Sequence, residues 1–280
     1  MAMRIGVHLA LWAQRWDDDV IPYAEIAADL GFDGVELSLL GMTTDRIRAI
    51  REAVAQRGLQ ITCTTGLSAQ ADISSLDPVC RKAGQDYLAQ SIRTTAGLGS
   101  RLLTGVLYAP WNVRVQEQRE QRWAHCVAGL RQAARIATDE GVTLGLEAIN
   151  RFETDLVNTA QQATRLCDDV GMPAVGVLLD AFHMNMEEKS VGDAIRATGS
   201  RLVHFHCDEN DRGVPGSGHI PWDEIFDALR AIGYDGWLTL EMFVAANLAV
   251  SGDLAIWRQI EPDPTRAARE GLAFLRSRTR

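Results

Sequence analysis

The chain reads as an α/β protein: one closed, parallel, eight-stranded (β/α)8 barrel (a TIM barrel) filling residues 1–280 as a single domain. Three observations predict it. Eight short β-reading segments alternate with helical patterns, which implies a parallel sheet with right-handed crossovers. The 280 residues suit a fold that takes about 250. No Pro/Gly/Ser-rich linker or change in composition divides the chain. The GxGxxG that would favour a doubly wound dinucleotide fold is missing after the first strand.

In order, the first strand is Ile5–Leu11, followed by a helix over Ile21–Leu30. The second is Gly34–Ser38, with a helix over Asp45–Arg57, and the third is Gln60–Thr65, with a helix over Val79–Leu98. The fourth strand, Arg101–Tyr108, precedes a long helix over Gln116–Glu140. Thr143–Ile149, Val175–Phe182, Leu202–Asp208 and Trp237–Phe243 complete the set, with a helix over Trp222–Ile232 before the last. Gly31, Gly58, Gly141 and Gly233 follow helical runs and precede strands, as C-terminal caps do. The loops at 183–190, 209–220 and 244–261 are long, and lie on the face where barrels carry active sites.

Composition narrows the function. With 46% hydrophobic and 23% charged residues the chain is an ordinary globular protein with enough length for a large core. A net charge of −9 argues against nucleic acid, which selects basic surfaces. Cys63, Cys80, Cys126, Cys167 and Cys207 are scattered and in no CxxC spacing, so they read as reduced thiols of a cytoplasmic protein. No apolar run approaches the ~20 residues of a membrane span, and no secretory leader is expected.

Four polar residues stand at the C-terminal ends of apolar strands: Glu147, Asp180, His206 and Glu241, separated by 33, 26 and 35 residues. Each interval is one strand–helix unit. Alternation puts Glu147 on one face with Gly145 and Thr143, Asp180 with Leu178, His206 with His204 and Asp208, and Glu241 with Thr239. Leu144, Leu146, Val177, Leu179, Val203, Phe205, Leu238 and Leu240 then face the helices. Charge in such segments is costly to bury uncompensated, and one divalent cation held by all four would compensate it. Hard oxygen ligands without a thiolate suit Mn²⁺, with Mg²⁺ or Co²⁺ as alternatives.

The surrounding motifs are Glu147-Ala-Ile-Asn150-Arg151-Phe-Glu153, Asp180-Ala-Phe-His183-Met-Asn185, His206-Cys-Asp-Glu-Asn-Asp-Arg212-Gly-Val-Pro215-Gly-Ser-Gly218 and Leu-Thr-Leu-Glu241. In these the chain resembles the xylose-isomerase-like sugar isomerases and epimerases, and among them the ketose 3-epimerases (the tagatose/allulose 3-epimerase group). The resemblance implies a metal held by Glu147, Asp180, His206 and Glu241, and substrate contacts from Glu153, His183 and Arg212. His8 stands on the first strand where the family often has an aromatic residue, and is taken with Trp111 as a further substrate contact.

The implied chemistry is epimerisation of a free ketose at C3 through a metal-stabilised enediolate. Glu147 and Glu241, on strands five and eight, are the opposed acid and base. His183 and Arg212 would meet the developing oxyanion, and Glu153 would orient His183 or a substrate hydroxyl. The alternative on the same site is an aldose–ketose isomerase of the hydroxypyruvate isomerase type, or a sugar or inosose dehydratase. A DNA-repair endonuclease of this fold would need more histidines than six and a basic groove. A non-catalytic sugar-binding barrel would need no opposed carboxylates. Lys82 and Lys189 end no strand, so Schiff-base chemistry is not expected.

Other residues read as follows. His204 is a hydrogen-bonded barrel-layer residue and His125 a surface one. His219 is a weaker lid or substrate candidate. Trp12, Trp16, Tyr108 and Trp111 are expected to line the pocket, and Glu36 to be no part of an extended multi-metal site. The expected assembly is a homo-oligomer, dimer or tetramer, with no nucleic acid or membrane partner.

Overall fold

A computed structural model describes residues 3–279. Eight parallel strands close a barrel in chain order: β1 Arg4–His8, β2 Gly34–Ser38, β3 Gln60–Leu67, β4 Leu102–Pro110, β5 Thr143–Glu147, β6 Val175–Asp180, β7 Leu202–Cys207 and β8 Trp237–Leu240. The ring shuts where Ile5 pairs with Leu238 and Val7 with Leu240. Outside lie α1 Ile21–Leu30, α2 Ile47–Gln56, α3 Pro78–Gly97, α4 Arg119–Glu140, α5 Ala160–Val170, α7 Val191–Thr198, α8 Trp222–Ala231 and α10 Pro264–Arg278. Two short helices, α6 Ala181–Glu187 and α9 Ala249–Asp253, sit in loops at the C-terminal mouth.

Local chemistry accounts for the helices. Thr159 and Gln162 form a reciprocal capping box at the start of α5, satisfying donors the first turn leaves free. Trp222, Ile225, Phe226 and Leu229 are the buried stripe of α8, at the spacing of one helical face. The four glycines expected as caps all have positive φ. Leu144, Leu146, Val177, Leu179, Phe205, Leu238 and Leu240 are fully buried between barrel and helices.

The barrel interior is polar. Glu36, Thr62, Thr104, Asp180, His204, His206 and Thr239 are all buried there or at its mouth, where branched apolar residues usually dominate.

Strand ends depart from the sequence reading. β1, β5, β6, β7 and β8 stop short of Leu11, Ile149, Phe182, Asp208 and Phe243, while β3 and β4 run on to Leu67 and Pro110. Apolar runs continue past the last ladder pair, but pairing does not. Asp180 instead caps α6, its Oδ1 accepting from His183 N at 3.1 Å, so the expected loop at 183–190 begins as a helix. Glu241 follows β8 directly.

One parity assignment is corrected. Val203 does not face the helices; a Cβ on Gly176 or Gly145 would lie 2.4 or 3.2 Å from its methyls. The β6–β7 register slips, Val177 pairing with Leu202 but Leu178 with His204. A bulge of this kind inserts one residue and lets two successive side chains escape alternation.

Gly105 has φ +113°, and a Cβ there would sit 2.2 Å from the Thr65 carbonyl oxygen. No L side chain fits both constraints. Gly105→Ala is therefore expected to cost roughly 3 kcal/mol or more, read as a lowered urea midpoint with unchanged m-value.

Candidate active site

One atom from each of Glu147, Asp180, His206 and Glu241 lies within 4.8 Å of the other three. His206 Nδ1 is 3.3 Å from Glu241 Oε2, 3.6 Å from Asp180 Oδ2 and 3.9 Å from Glu147 Oε1. That nitrogen is buried and has no hydrogen-bond partner.

The electrostatics follow from crowding. Burial, reinforced by Glu241 and then Asp180, lifts the Glu147 pKa well above the ordinary carboxylate range. Burial acts on Asp180 in the same sense, but Arg212 and His183 outweigh it and hold that acid far below its usual value. Burial disfavours a cation on His206, yet Glu241 and Glu36 push its pKa well up. Three carboxylates around an orphaned imidazole nitrogen that attracts positive charge are a donor set that fits a divalent cation.

Arg212 reaches into the cluster. Its Nη1 donates to Asp208 Oδ2 at 2.9 Å, Glu241 Oε2 at 3.0 Å and Asp180 Oδ2 at 3.1 Å. Its guanidinium lies 4.1 Å from the Phe182 ring centroid and 5.5 Å from that of Phe243. The backbone at Arg212 is left-handed, φ 68°. The fold of its loop is fixed by Glu209, fully buried, whose carboxylate accepts from the backbone N–H groups of Gly216 and Ile220 and from Trp222 Nε1 at 2.8–2.9 Å.

His183 is buried beside Arg212, and burial holds its pKa below the ordinary imidazole value. Its Nδ1 accepts from Asn150 N at 3.1 Å, so the proton of the neutral ring belongs on Nε2. Arg212 Nη2 lies 3.0 Å from that same Nε2. Two donors thus face one another. Glu153 accepts from Asn150 Nδ2 at 2.7 Å and Trp111 Nε1 at 2.8 Å; it reaches His183 through Asn150 rather than directly.

Glu147, Glu153, His183, Arg212 and Glu241 line one cleft at the C-terminal mouth, with His8, Trp16 and Trp111, while Asp180, His206 and Asn150 lie buried behind that lining. His8 Nδ1 accepts from Ala10 N at 3.2 Å, which makes its Nε2 the donor. The ring meets Phe243 edge-on. A larger hollow, about 820 Å³, opens at the opposite face beside Arg4, Arg51 and Arg101. None of the described residues lining it is a histidine or glutamate.

Several expectations are corrected. Tyr108, within β4, is fully buried and donates to Val157 O, and Trp12, in the turn after β1, bonds Thr265 Oγ1; neither lines the cleft. His219 is exposed and outside the cleft. His125 is half-buried, with Nδ1 3.0 Å from Ser75 O. His204 Nε2 lies 2.8 Å from Glu36 Oε2, but out of line for a hydrogen bond.

Sequence reasoning gave no role to Asn150 and set Glu36 aside. Asn150 fixes the His183 tautomer. Glu36, in the interior layer, has Oε1 2.8 Å from His206 Nε2. Burial works against its ionisation, but His206 and His204 hold its pKa well below the usual range. The signal for Glu36 was a carboxylate inside an apolar strand, on the inward parity.

Fold and site together define the class: a (β/α)8 barrel with a carboxylate–imidazole cluster, able to hold a cation, at its C-terminal mouth. Within that class, a family model described as "Xylose isomerase-like TIM barrel" matches residues 24–278, and the chain belongs to this family. It is 38% identical to the D-psicose 3-epimerase of Ruminiclostridium cellulolyticum, covering 92% of this chain and 90% of that protein. It is 35% identical to the L-ribulose 3-epimerase of Mesorhizobium japonicum, covering 97% and 93%. Among solved structures, D-psicose 3-epimerase with D-tagatose from Clostridium cellulolyticum superposes with a TM-score of 0.94 at 36% identity, covering 98% of this chain and 99% of that one.

Glu209→Ala would leave buried donors unpaired, each costing about 1–3 kcal/mol. We expect at least ~3 kcal/mol lost in chemical denaturation, with hydrogen exchange accelerated across 209–222.

Proposed function

We propose that this protein is a divalent-metal-dependent 3-epimerase of free ketoses, acting in the cytoplasm. The observation that carries the reading is the contact between His183 Nε2 and Arg212 Nη2 at 3.0 Å, with Glu147 Oε1 3.8 Å from that same imidazole nitrogen. A substrate oxygen accepting from both donors relieves their opposition and is placed beside a carboxylate. The names of the relatives, D-psicose and L-ribulose 3-epimerases, support the reaction class.

Glu147 ends β5 and Glu241 follows β8, three strands further round the ring, and their ligand atoms lie within 4.8 Å of one another. One removes the C3 proton and the other returns a proton to the opposite face of that carbon, as general base and general acid. The charge that collects on O2 is met by the Nε2–H of His183 and the guanidinium of Arg212, held in place before the reaction starts. Asn150 holds the His183 tautomer, and Glu153 holds Asn150. Trp16, Trp111 and Phe243 give the sugar an apolar wall, and His8 Nε2–H a hydroxyl contact.

Glu147, Asp180, His206 and Glu241 would hold the metal, Mn²⁺ first with Mg²⁺ or Co²⁺ as alternatives. When bound, it supplies Lewis-acid polarisation of the ketose carbonyl, worth several kcal/mol. The same reading includes a homo-oligomer, dimer or tetramer; Phe152 and Trp257, 64% and 78% exposed, flank a groove at the mouth of the kind assembly covers.

Incubation with free ketoses in D₂O tests the reaction. Deuterium is expected at C3 of substrate and epimer; deuterium at C1 with an aldose product would move the assignment to the aldose–ketose isomerases. Arg212 is already engaged by three carboxylates, and Arg258 pairs with Asp211 at 3.0 Å, so neither of these cations is free for a phosphate. A free ketose should exceed its terminal phosphate ester at least tenfold in kcat/KM, about 1.4 kcal/mol.

Elemental analysis should find one divalent cation per chain, and chelation should abolish turnover. Glu147→Gln and Glu241→Gln should each lower kcat by roughly 10³-fold or more, with metal occupancy measured alongside. A metal-replete variant turning over at the normal rate would remove that carboxylate from the mechanism.

A further inference from the structure

We propose that Glu36 is the positioning residue of this cluster: its carboxylate aims the Nδ1 lone pair of His206 at Glu147, Asp180 and Glu241. The inference rests on the metal reading above.

Glu36 is on β2, away from the strands that carry the four cluster residues, and is fully buried. Its Oε1 lies 2.8 Å from His206 Nε2. Its Oε2 accepts from Thr62 Oγ1 at 3.0 Å and lies 2.8 Å from His204 Nε2. A carboxylate only accepts, so the hydrogen between Glu36 and His206 belongs to Nε2. The lone pair of the neutral ring is then on Nδ1, the atom that stands unpartnered among the three carboxylates. The His204 ring meets the His206 ring nearly perpendicular, centroids 5.0 Å apart, and limits its rotation. Thr62 pins the carboxylate from β3. One buried anion therefore sets both tautomer and orientation, the role an outer carboxylate plays for a ligating histidine.

A competing use of the same atoms is a second cation, because Glu36, His204 and His206 also bring one donor atom each within 4.8 Å of one another. That arrangement would require His206 to bridge two cations through both nitrogens and give up its contact with Glu36. A third group, His8, Glu36 and Glu241, also brings one donor atom each within 4.8 Å of one another, so among the described residues a second cation would have only Glu36 and Glu241, the latter shared with the first site, to neutralise it.

The test measures Mn²⁺ affinity of the purified protein and of Glu36→Gln by competition with a chromophoric chelator. The amide keeps one acceptor but loses the charge and turns a donor toward an imidazole. Binding is expected to weaken about 10–100-fold at an unchanged one ion per chain, in a variant whose circular dichroism matches the parent. A purely structural role would lower the melting temperature and leave the affinity of the folded fraction unchanged, and that result would overturn the inference. Should Glu36→Gln fail to fold, the ¹⁵N-histidine spectrum of the unmodified, Mg²⁺-loaded protein decides: a proton on His206 Nε2 supports the clamp and a proton on Nδ1 refutes it. Two Mn²⁺ bound per chain would assign the layer to a second metal instead. A parent protein that binds no Mn²⁺ would remove the metal reading itself, whereas equal binding by parent and variant removes only the role of Glu36.

Discussion

Burying three carboxylates within a few ångströms of one another is the constraint on which the rest of this barrel depends. At a site so little exposed to water each pair repels more strongly than at the surface, and the protein answers with Arg212 and His206. Arg212 donates one nitrogen to three acids. His206 stands among the carboxylates with Nδ1 unpartnered. Glu147, with the least compensation, keeps its proton to a higher pH than an ordinary glutamate. A structural ion-pair network would be expected to satisfy all its members; this one leaves a bare nitrogen and two opposed donors, which is why it reads as a binding site rather than as glue.

That charge must be held in place by structure of low mobility, and the loops are built accordingly. Arg212 is in a left-handed conformation that only a well-anchored loop sustains. The anchor is Glu209, itself a buried anion, satisfied by backbone donors and by Trp222 at the start of α8. The loop after β8 is tied back to the barrel in the same manner: Phe243 N donates to Arg212 O at 3.0 Å, and Asp253 accepts from Trp16 Nε1 through its side chain and from Asn112 Nδ2 through its carbonyl, both at 2.8 Å. Trp16, a wall of the cleft, is thus fixed by the segment that crosses over it. Buried Arg122, paired with Asp155 at 2.6 Å, secures the loop after β5 that carries Asn150 and Glu153.

What the sequence disclosed and what it withheld divide along a physical line. The alternation of strand and helix, the glycine stops and the four strand-end residues are periodic or local features, and periodicity survives translation into three dimensions. Strand ends did not, because an apolar run continues past the point where its neighbour stops pairing: Phe243 and Ile149 are buried without belonging to the sheet. Val203 escaped because a register slip between β6 and β7 is a property of the pair, invisible in either strand alone. Tyr108 and Trp12 were aromatic and close to expected strand ends, yet the partners they meet, Val157 and Thr265, lie 49 and 253 residues away and draw both rings out of the cleft. Glu36 and Asn150 matter only through partners 170 and 33 residues away. Their roles lie in the geometry of contact between side chains across the mouth of the barrel. Alternation fixes which face a residue occupies, but the identity of the atom it meets there depends on strand order, stagger and closure together.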